Sequence, residues 1–153
     1  MRILGLDYGN KRVGVAVSDS LGWTAQPLTT LQMHGHQELL EEIKKYIDKY
    51  DIEEIVVGMP YNMDGTMGKR AEITQAFINF LNNNLELPIQ IQDERLTTSQ
   101  AKNILLAADV SRAGRKKVID KMAASLILQS YLEYRVPGNN FQVPGTKKNE
   151  RGN

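Results

Sequence analysis

The hydrophobic period changes partway along the chain, and that change limits its possible folds more than any other feature. Residues 3–6 are a short apolar run ended by Asp7-Tyr8-Gly9-Asn10, and Val13, Val15 and Val17 then alternate with Gly14, Ala16 and Ser18. Two such runs around a Gly/Asn turn predict a β-hairpin. Residues 25–31 predict a third strand, and Pro27 places it at a sheet edge because proline cannot donate to a strand ladder. From residue 37 to 50 the spacing switches to three and four: Leu39, Leu40, Ile43, Tyr46, Ile47 and Tyr50 predict one face of a helix.

Strands and helices alternate from there. Residues 55–58 read as a buried strand stopped by Pro60, and residues 61–65 as a loop. Residues 71–81 read as a helix with Ile73, Ala76, Phe77, Phe80 and Leu81 on one side. Pro88 opens a strand over 89–92, a short helix covers 98–108, and a last helix runs from 117 to 134. Beyond Pro137-Gly138 the composition turns polar, which divides the chain into a domain over 1–136 and a disordered tail over 137–153. Three strands followed by helix–strand–helix–strand–helix predict a mixed α/β fold. Its five-stranded sheet, flanked by helices, begins as an antiparallel meander and continues through helical crossovers. The RNase H-like fold has this order, and so do other three-layer folds.

Composition removes several classes of chemistry. The 153 residues suit one domain with its own core. With no Cys, thiolate nucleophiles, disulfides and iron–sulfur sites are excluded, and two His spaced two apart (His34, His36) do not make a zinc site. The first apolar run is broken by Asp7, too early for a signal peptide, and no stretch nears the roughly 18 apolar residues of a membrane span. A cytoplasmic enzyme or binding domain with no membrane partner is expected. Lys plus Arg total 19 against 18 Asp plus Glu, so the net charge of +1 excludes nucleic-acid binding by bulk charge but not by a local basic face.

The charges are segregated. Seven acids and three lysines between residues 38 and 54 give a local balance of −4, as a solvated helix face would. Three other acidic positions stand out. Asp7 ends an apolar strand, Asp93-Glu94 end another, and Asp120 shares a helical face with Ala124, Ile127 and Tyr131. Taken singly, each has an ordinary alternative: a turn opener, a strand end in solvent, a first-turn acid. Taken together they put acids at two strand C-termini, where α/β sheets collect ligands, and on a helix able to pack beside them. Oxygen ligands without Cys or His select a hard cation, Mg²⁺ or Mn²⁺, one or two ions. Such ions serve in-line phosphodiester cleavage. Strand alternation sends Asp93 and Glu94 to opposite faces, so only one of them is expected to face the metal.

Bases adjoin the same segments. Lys11 and Arg12 follow Asp7, and Arg95 follows Glu94. Arg112, Arg115, Lys116, Lys117 and Lys121 surround Asp120, for a local balance of +4. A phosphate-contacting stripe and a solvated helix start both fit that pattern. Tyr61, Asn62 and Asp64 lie in a Gly-containing loop able to meet a backbone, and Trp23 could stack on a base or simply pack.

Four stretches carry a resemblance. They are Ile3-Leu4-Gly5-Leu6-Asp7-Tyr8-Gly9-Asn10-Lys11-Arg12-Val13-Gly14-Val15-Ala16-Val17-Ser18-Asp19, Val56-Val57-Gly58-Met59-Pro60-Tyr61-Asn62-Met63-Asp64-Gly65-Thr66, Asp93-Glu94-Arg95-Leu96-Thr97-Thr98 and Lys117-Val118-Ile119-Asp120-Lys121-Met122-Ala123-Ala124. In this order and spacing the chain resembles the YqgF/RuvX family, bacterial proteins described as Holliday junction resolvases and as pre-16S rRNA nucleases. The resemblance implies an RNase H-like fold and a metal-dependent nuclease whose catalytic and metal-holding acids are Asp7, Glu94 and Asp120. Lys11, Arg12, Asn62, Arg95, Arg115, Lys116 and Lys117 are the expected nucleic-acid contacts. Precursor rRNA is the expected partner, branched DNA the alternative, and the chain is expected to act as a monomer or weak homodimer. A non-catalytic RNA-binding module is the reading from another class. Asp7-x-Gly9 also occurs in sugar kinases and actin-like ATPases, but those need two such lobes and this chain has residues for one.

Overall fold

The computed structural model describes residues 1–96 and 122–135. Five strands, β1 (Arg2–Tyr8), β2 (Arg12–Ser18), β3 (Ala25–Gln32), β4 (Ile52–Met59) and β5 (Ile89–Asp93), form one sheet in the order β3-β2-β1-β4-β5. Helix α1 (His36–Tyr50) joins β3 to β4, α2 (Lys69–Asn84) joins β4 to β5, and α3 (Ala123–Arg135) follows a 3₁₀ turn at Glu94–Leu96. The first three strands are an antiparallel meander, and β1–β4 and β4–β5 pair in parallel. The mixed sheet and the edge position of the proline-containing strand are as expected. Pro27 pairs with Ala16 at a register shift, where its missing donor does least harm.

Strand alternation divides the core into two layers. Leu4, Leu6, Val13, Val15, Ile55, Val57 and Met59 face α1 and α2, where Leu39, Leu40, Ile43, Phe77, Ile78 and Leu81 cover them. Ile3, Ala16, Ala25 and Val56 face α3 and meet Ala124, Ile127, Leu128 and Leu132. Truncating a fully buried ring such as Phe77 to Ala costs about 3–5 kcal/mol in cores of this kind. Part of the α3 face of the central strands carries no side chains. A Cβ on Gly5 would stand 2.8 Å from Leu128 Cβ, and one on Gly14 would stand 3.5 Å from Ala124 Cβ. Glycines at these positions let the helix settle directly on the backbone of β1 and β2.

Several local expectations differ in detail. β1 does not stop at Leu6 but continues through Asp7 and Tyr8, because Asp7 pairs with Gly14 and Tyr8 with Val13. β4 begins at Ile52, immediately after Asp51 ends α1 in the left-handed conformation (φ 54°). Glu54, counted with the solvated acids, is buried at 8% exposure and accepts a 2.6 Å hydrogen bond from Tyr131 Oη on α3. The buried stripe of α2 is Ala71, Thr74, Phe77, Ile78 and Leu81, with Ile73 and Ala76 on the outer side. In β5 it is Gln92 that is buried and Ile91 that is exposed, since an edge strand answers to coverage from its neighbours more than to its own hydropathy. The helix expected over 98–108, the start of the one expected at 117, and the boundary at 136 with the tail over 137–153 lie outside the described residues.

Candidate active site

β1 is the middle strand of the sheet, and Asp7 lies near its carboxyl end. The side chains of Leu4 and Leu6 point to α1 and α2, so the alternation turns Asp7 to the α3 face. Its neighbours there are small: a Cβ on Gly14 would lie 3.6 Å from Asp7 Cβ and 3.9 Å from the Ala124 backbone nitrogen. Asp7 is half-buried as a result. Burial raises its carboxyl above the ordinary value of 3.8, and the Arg70 guanidinium pulls the other way.

Glu94 comes from β5 by way of β4. It is the first residue of the 3₁₀ turn, past the strand's end. Its carboxylate lies over Gly58 of β4, where a Cβ would stand 2.7 Å from Glu94 Oε2. Leu6 pairs with Val57 in parallel, so the next position along β1, Asp7, is beside Gly58. Glu94 is pushed up to about 7, first by burial, then by the negative charges of Asp7 and Asp93, against the opposing charge of Arg70. The two carboxylates thus sit close enough to feel each other over a floor of glycines.

Asp93 is engaged elsewhere. Arg95 Nη2 donates to Asp93 Oδ2 at 2.7 Å, and Arg95 Nε donates to Asp93 Oδ1 at 3.1 Å. The same guanidinium donates to the Met63 carbonyl at 3.3 Å and stands 5.5 Å from the centre of the Tyr61 ring. Arg95 therefore clips β5 to the loop after β4. That loop is braced internally: Asn62 Nδ2 donates to Thr66 Oγ1, and Thr66 donates from N and Oγ1 to Asp64 Oδ1. These two bonds hold the exposed Asp64 carboxyl below its ordinary value. Gly65 turns the loop at φ +90°.

The remaining expected contacts divide into three groups. Lys11 and Arg12 are exposed at the β1–β2 turn, at the same end of the sheet as Asp7. Asn62 and Arg95 belong to the loop assembly just described. Asp120, Arg115, Lys116 and Lys117 lie outside the described residues, as do Arg112 and Lys121. Trp23 is 71% exposed in the β2–β3 turn, at the end of the sheet opposite Asp7. His36 Nε2 is hydrogen-bonded with Tyr8 Oη at 2.7 Å, so its ring serves packing.

Among the described residues no three acidic or imidazole groups gather around one point. Asp7 and Glu94 form a two-carboxylate, oxygen-only donor pair whose mutual repulsion a cation would relieve. That chemistry fits a hard divalent ion.

Arg70, which local sequence pattern does not single out, is, among the described residues, the cation whose charge acts on both acids of this pair. It is the second residue of α2 and donates to Asn10 Oδ1 at 2.6 Å and to the Tyr8 carbonyl at 2.7 Å. A hint of it is that Lys69-Arg70 put two cations in the first turn of a helix, where the dipole disfavours them.

Residues 1–134 match RuvX, described as Holliday junction resolvase. The chain belongs to the RuvX family. A Halothermothrix orenii relative named "Putative pre-16S rRNA nuclease" is 57% identical over 135 residues, covering 88% of this chain and 96% of its own. A Clostridium kluyveri relative of the same name is 53% identical over 133 residues, covering 87% and 97%. The solved structure of Thermus thermophilus RuvC superposes with a TM-score of 0.52 at 12% identity, covering 86% of this chain and 95% of that one. At that identity the likeness is one of fold, and this RuvX chain has the RNase H-like architecture.

Proposed function

We propose that this RuvX chain is a Mg²⁺- or Mn²⁺-dependent nuclease that hydrolyses phosphodiester bonds in precursor 16S rRNA during maturation of its 5′ end, in the cytoplasm. The observation that carries the reading is the convergence of Asp7 and Glu94 above Gly58. The names of the curated relatives support the substrate.

Asp7 and Glu94 would hold one or two ions. Asp120 is the proposed third ligand: it precedes Ala124 by four residues, so the chain between them spans at most about 14 Å, and Ala124 and Asp7 both adjoin Gly14. A bound divalent ion supplies an activated water and neutralises charge on the phosphate. The protein's own part is to hold the carboxylates close together and oriented, and to bring the substrate backbone over them. Lys11 and Arg12 at the β1–β2 turn, Arg95 with Asn62 on the loop side, and Arg115, Lys116 and Lys117 are the proposed phosphate contacts. The chain is proposed to work as a monomer or weak homodimer.

The family's description as Holliday junction resolvase favours one second reading, cleavage of four-way DNA. Labelled precursor RNA and four-way junctions, each with Mg²⁺ or Mn²⁺ and beside Asp7→Asn, separate the two. Cutting of RNA lost in Asp7→Asn supports the first reading. Symmetric junction cutting by a dimer supports the second. RNA binding that persists in EDTA with no cleavage would instead support a non-catalytic RNA-binding module. Cleavage unchanged in Asp7→Asn removes the site assignment.

A further inference from the structure

We infer that Arg70 is a positioning residue for the acidic pair: its guanidinium fork ties α2 to the backbone that follows Asp7 and fixes the direction in which that carboxylate points. The inference rests on the metal-site reading above and goes beyond it, to a residue on a helix that carries no acid of the site.

The two terminal nitrogens of Arg70 serve different acceptors on one turn. Nη2 holds the Tyr8 carbonyl, one residue past Asp7, and Nη1 holds the Asn10 side chain. The turn itself is tight. Gly9 N donates to the Arg12 carbonyl at 2.9 Å, and a Cβ on Gly9 would stand 2.7 Å from that same oxygen. At the root of that side chain the buried Thr74 donates from Oγ1 to the Arg70 carbonyl at 2.9 Å. Tyr8 is seated by the same helix: its ring stacks on Phe77 with centroids 4.1 Å apart. α2 thus grips the residue after Asp7 by both backbone and ring.

A planar guanidinium presents its two donors in a fixed fork, one to each acceptor, whereas an ammonium is a point charge on a flexible stem that does not reproduce that geometry. Charge also matters. Arg70 opposes the upward shifts of both Asp7 and Glu94. A cation that merely balanced charge would be replaceable by lysine, whereas a brace would not. Lysine therefore separates the two roles.

The experiment uses the full chain, Arg70→Lys and Asn10→Ala. Mn²⁺ binding is measured by electron paramagnetic resonance, and the Gly9–Lys11 amides are followed by hydrogen–deuterium exchange. Arg70→Lys is expected to weaken Mn²⁺ binding about tenfold, the equivalent of one charged hydrogen bond. The turn amides should exchange about tenfold faster. Asn10→Ala, which keeps the charge and one of the two bonds, should fall between. In single-turnover cleavage the loss should appear in the rate with KM unchanged. Mn²⁺ affinity in Arg70→Lys within twofold of the parent overturns the proposal, even if the turn exchanges faster. So does an unchanged turn. A parent chain that takes up no Mn²⁺ refutes the metal-site reading instead, and the exchange result then judges the brace by itself.

Discussion

Glu94 Oε2 occupies the space that a side chain on Gly58 would need: a Cβ there would stand 2.7 Å from that oxygen and 2.5 Å from Ile127 Cδ1. A residue on β4 with no functional group thus decides whether the acid after β5 can reach the acid on β1. Gly58→Ala should displace both neighbours, cost about 1–3 kcal/mol of stability, and reduce cleavage more than its loss of stability accounts for. Denaturant unfolding and cleavage assays on the same preparation check this. Gly5→Ala is the control. Its Cβ would meet Leu128 Cβ at 2.8 Å and the Ala124 carbonyl at 3.2 Å, so it should destabilise through packing alone.

Glu94 sets a pH dependence. Its folded value of about 7 lies above the ordinary 4.5. Below 7 the carboxyl is largely protonated and must lose its proton to bind a cation, so Mn²⁺ affinity should rise with pH and level off above about 7. For the metal-free chain the sign is opposite. Between pH 4.5 and 7 the unfolded state has released this proton and the folded state has kept it, so the group's contribution to stability falls as pH rises through that window. Glu94→Gln should flatten both profiles in calorimetric titrations and melts.

Asp93→Asn should shift the Mn²⁺ profile to lower pH, because Asp93 is one of the charges that raise Glu94. It also releases Arg95 from a partly exposed ion pair, worth at most about 1 kcal/mol. Binding to a short RNA should tighten through the loss of one acid and the freeing of one cation. A titration midpoint left at about 7 would contradict the assigned neighbourhood of Glu94.

Asp7→Asn should separate function from stability. Burial raises this carboxyl, so its ionised form opposes folding at neutral pH. Removing the charge should abolish cleavage while raising Tm by about 2–4 °C, the equivalent of roughly 1 kcal/mol in a chain of this size. A melt in EDTA compares the two proteins free of metal.

Gly65→Ala tests the loop. At φ +90° a side chain is strained whatever the space, and the Cβ would approach Arg95 Nη1 at 3.4 Å. A loss of about 1–3 kcal/mol is expected, with weaker nucleic-acid binding and unchanged Mn²⁺ affinity, because the strain falls on the loop that meets Arg95. Equilibrium unfolding, a filter-binding assay and a metal titration supply the three readings.

By itself the sequence determined what short-range pattern can carry. The period-two runs at residues 3–6 and 13–17, the three-and-four spacing of α1, and the edge placement of Pro27 all follow from which residues a pleated or helical backbone turns to one side. It also marked Asp7 and Asp93-Glu94 as acids at the ends of apolar runs. It did not determine where β1 ends, since Asp7 and Tyr8 are held in the strand by partners on β2, nor that Glu54 is buried beneath Tyr131, 77 residues away. Only the tertiary structure decided which acid of the Asp93-Glu94 pair is tied to Arg95 and which lies beside Asp7. Neither did local pattern bring Arg70 to the turn after β1. Those placements depend on the parallel pairing of β1, β4 and β5 and on the seat of α2, contacts between residues far apart in the chain, so no periodicity within a single segment encodes them.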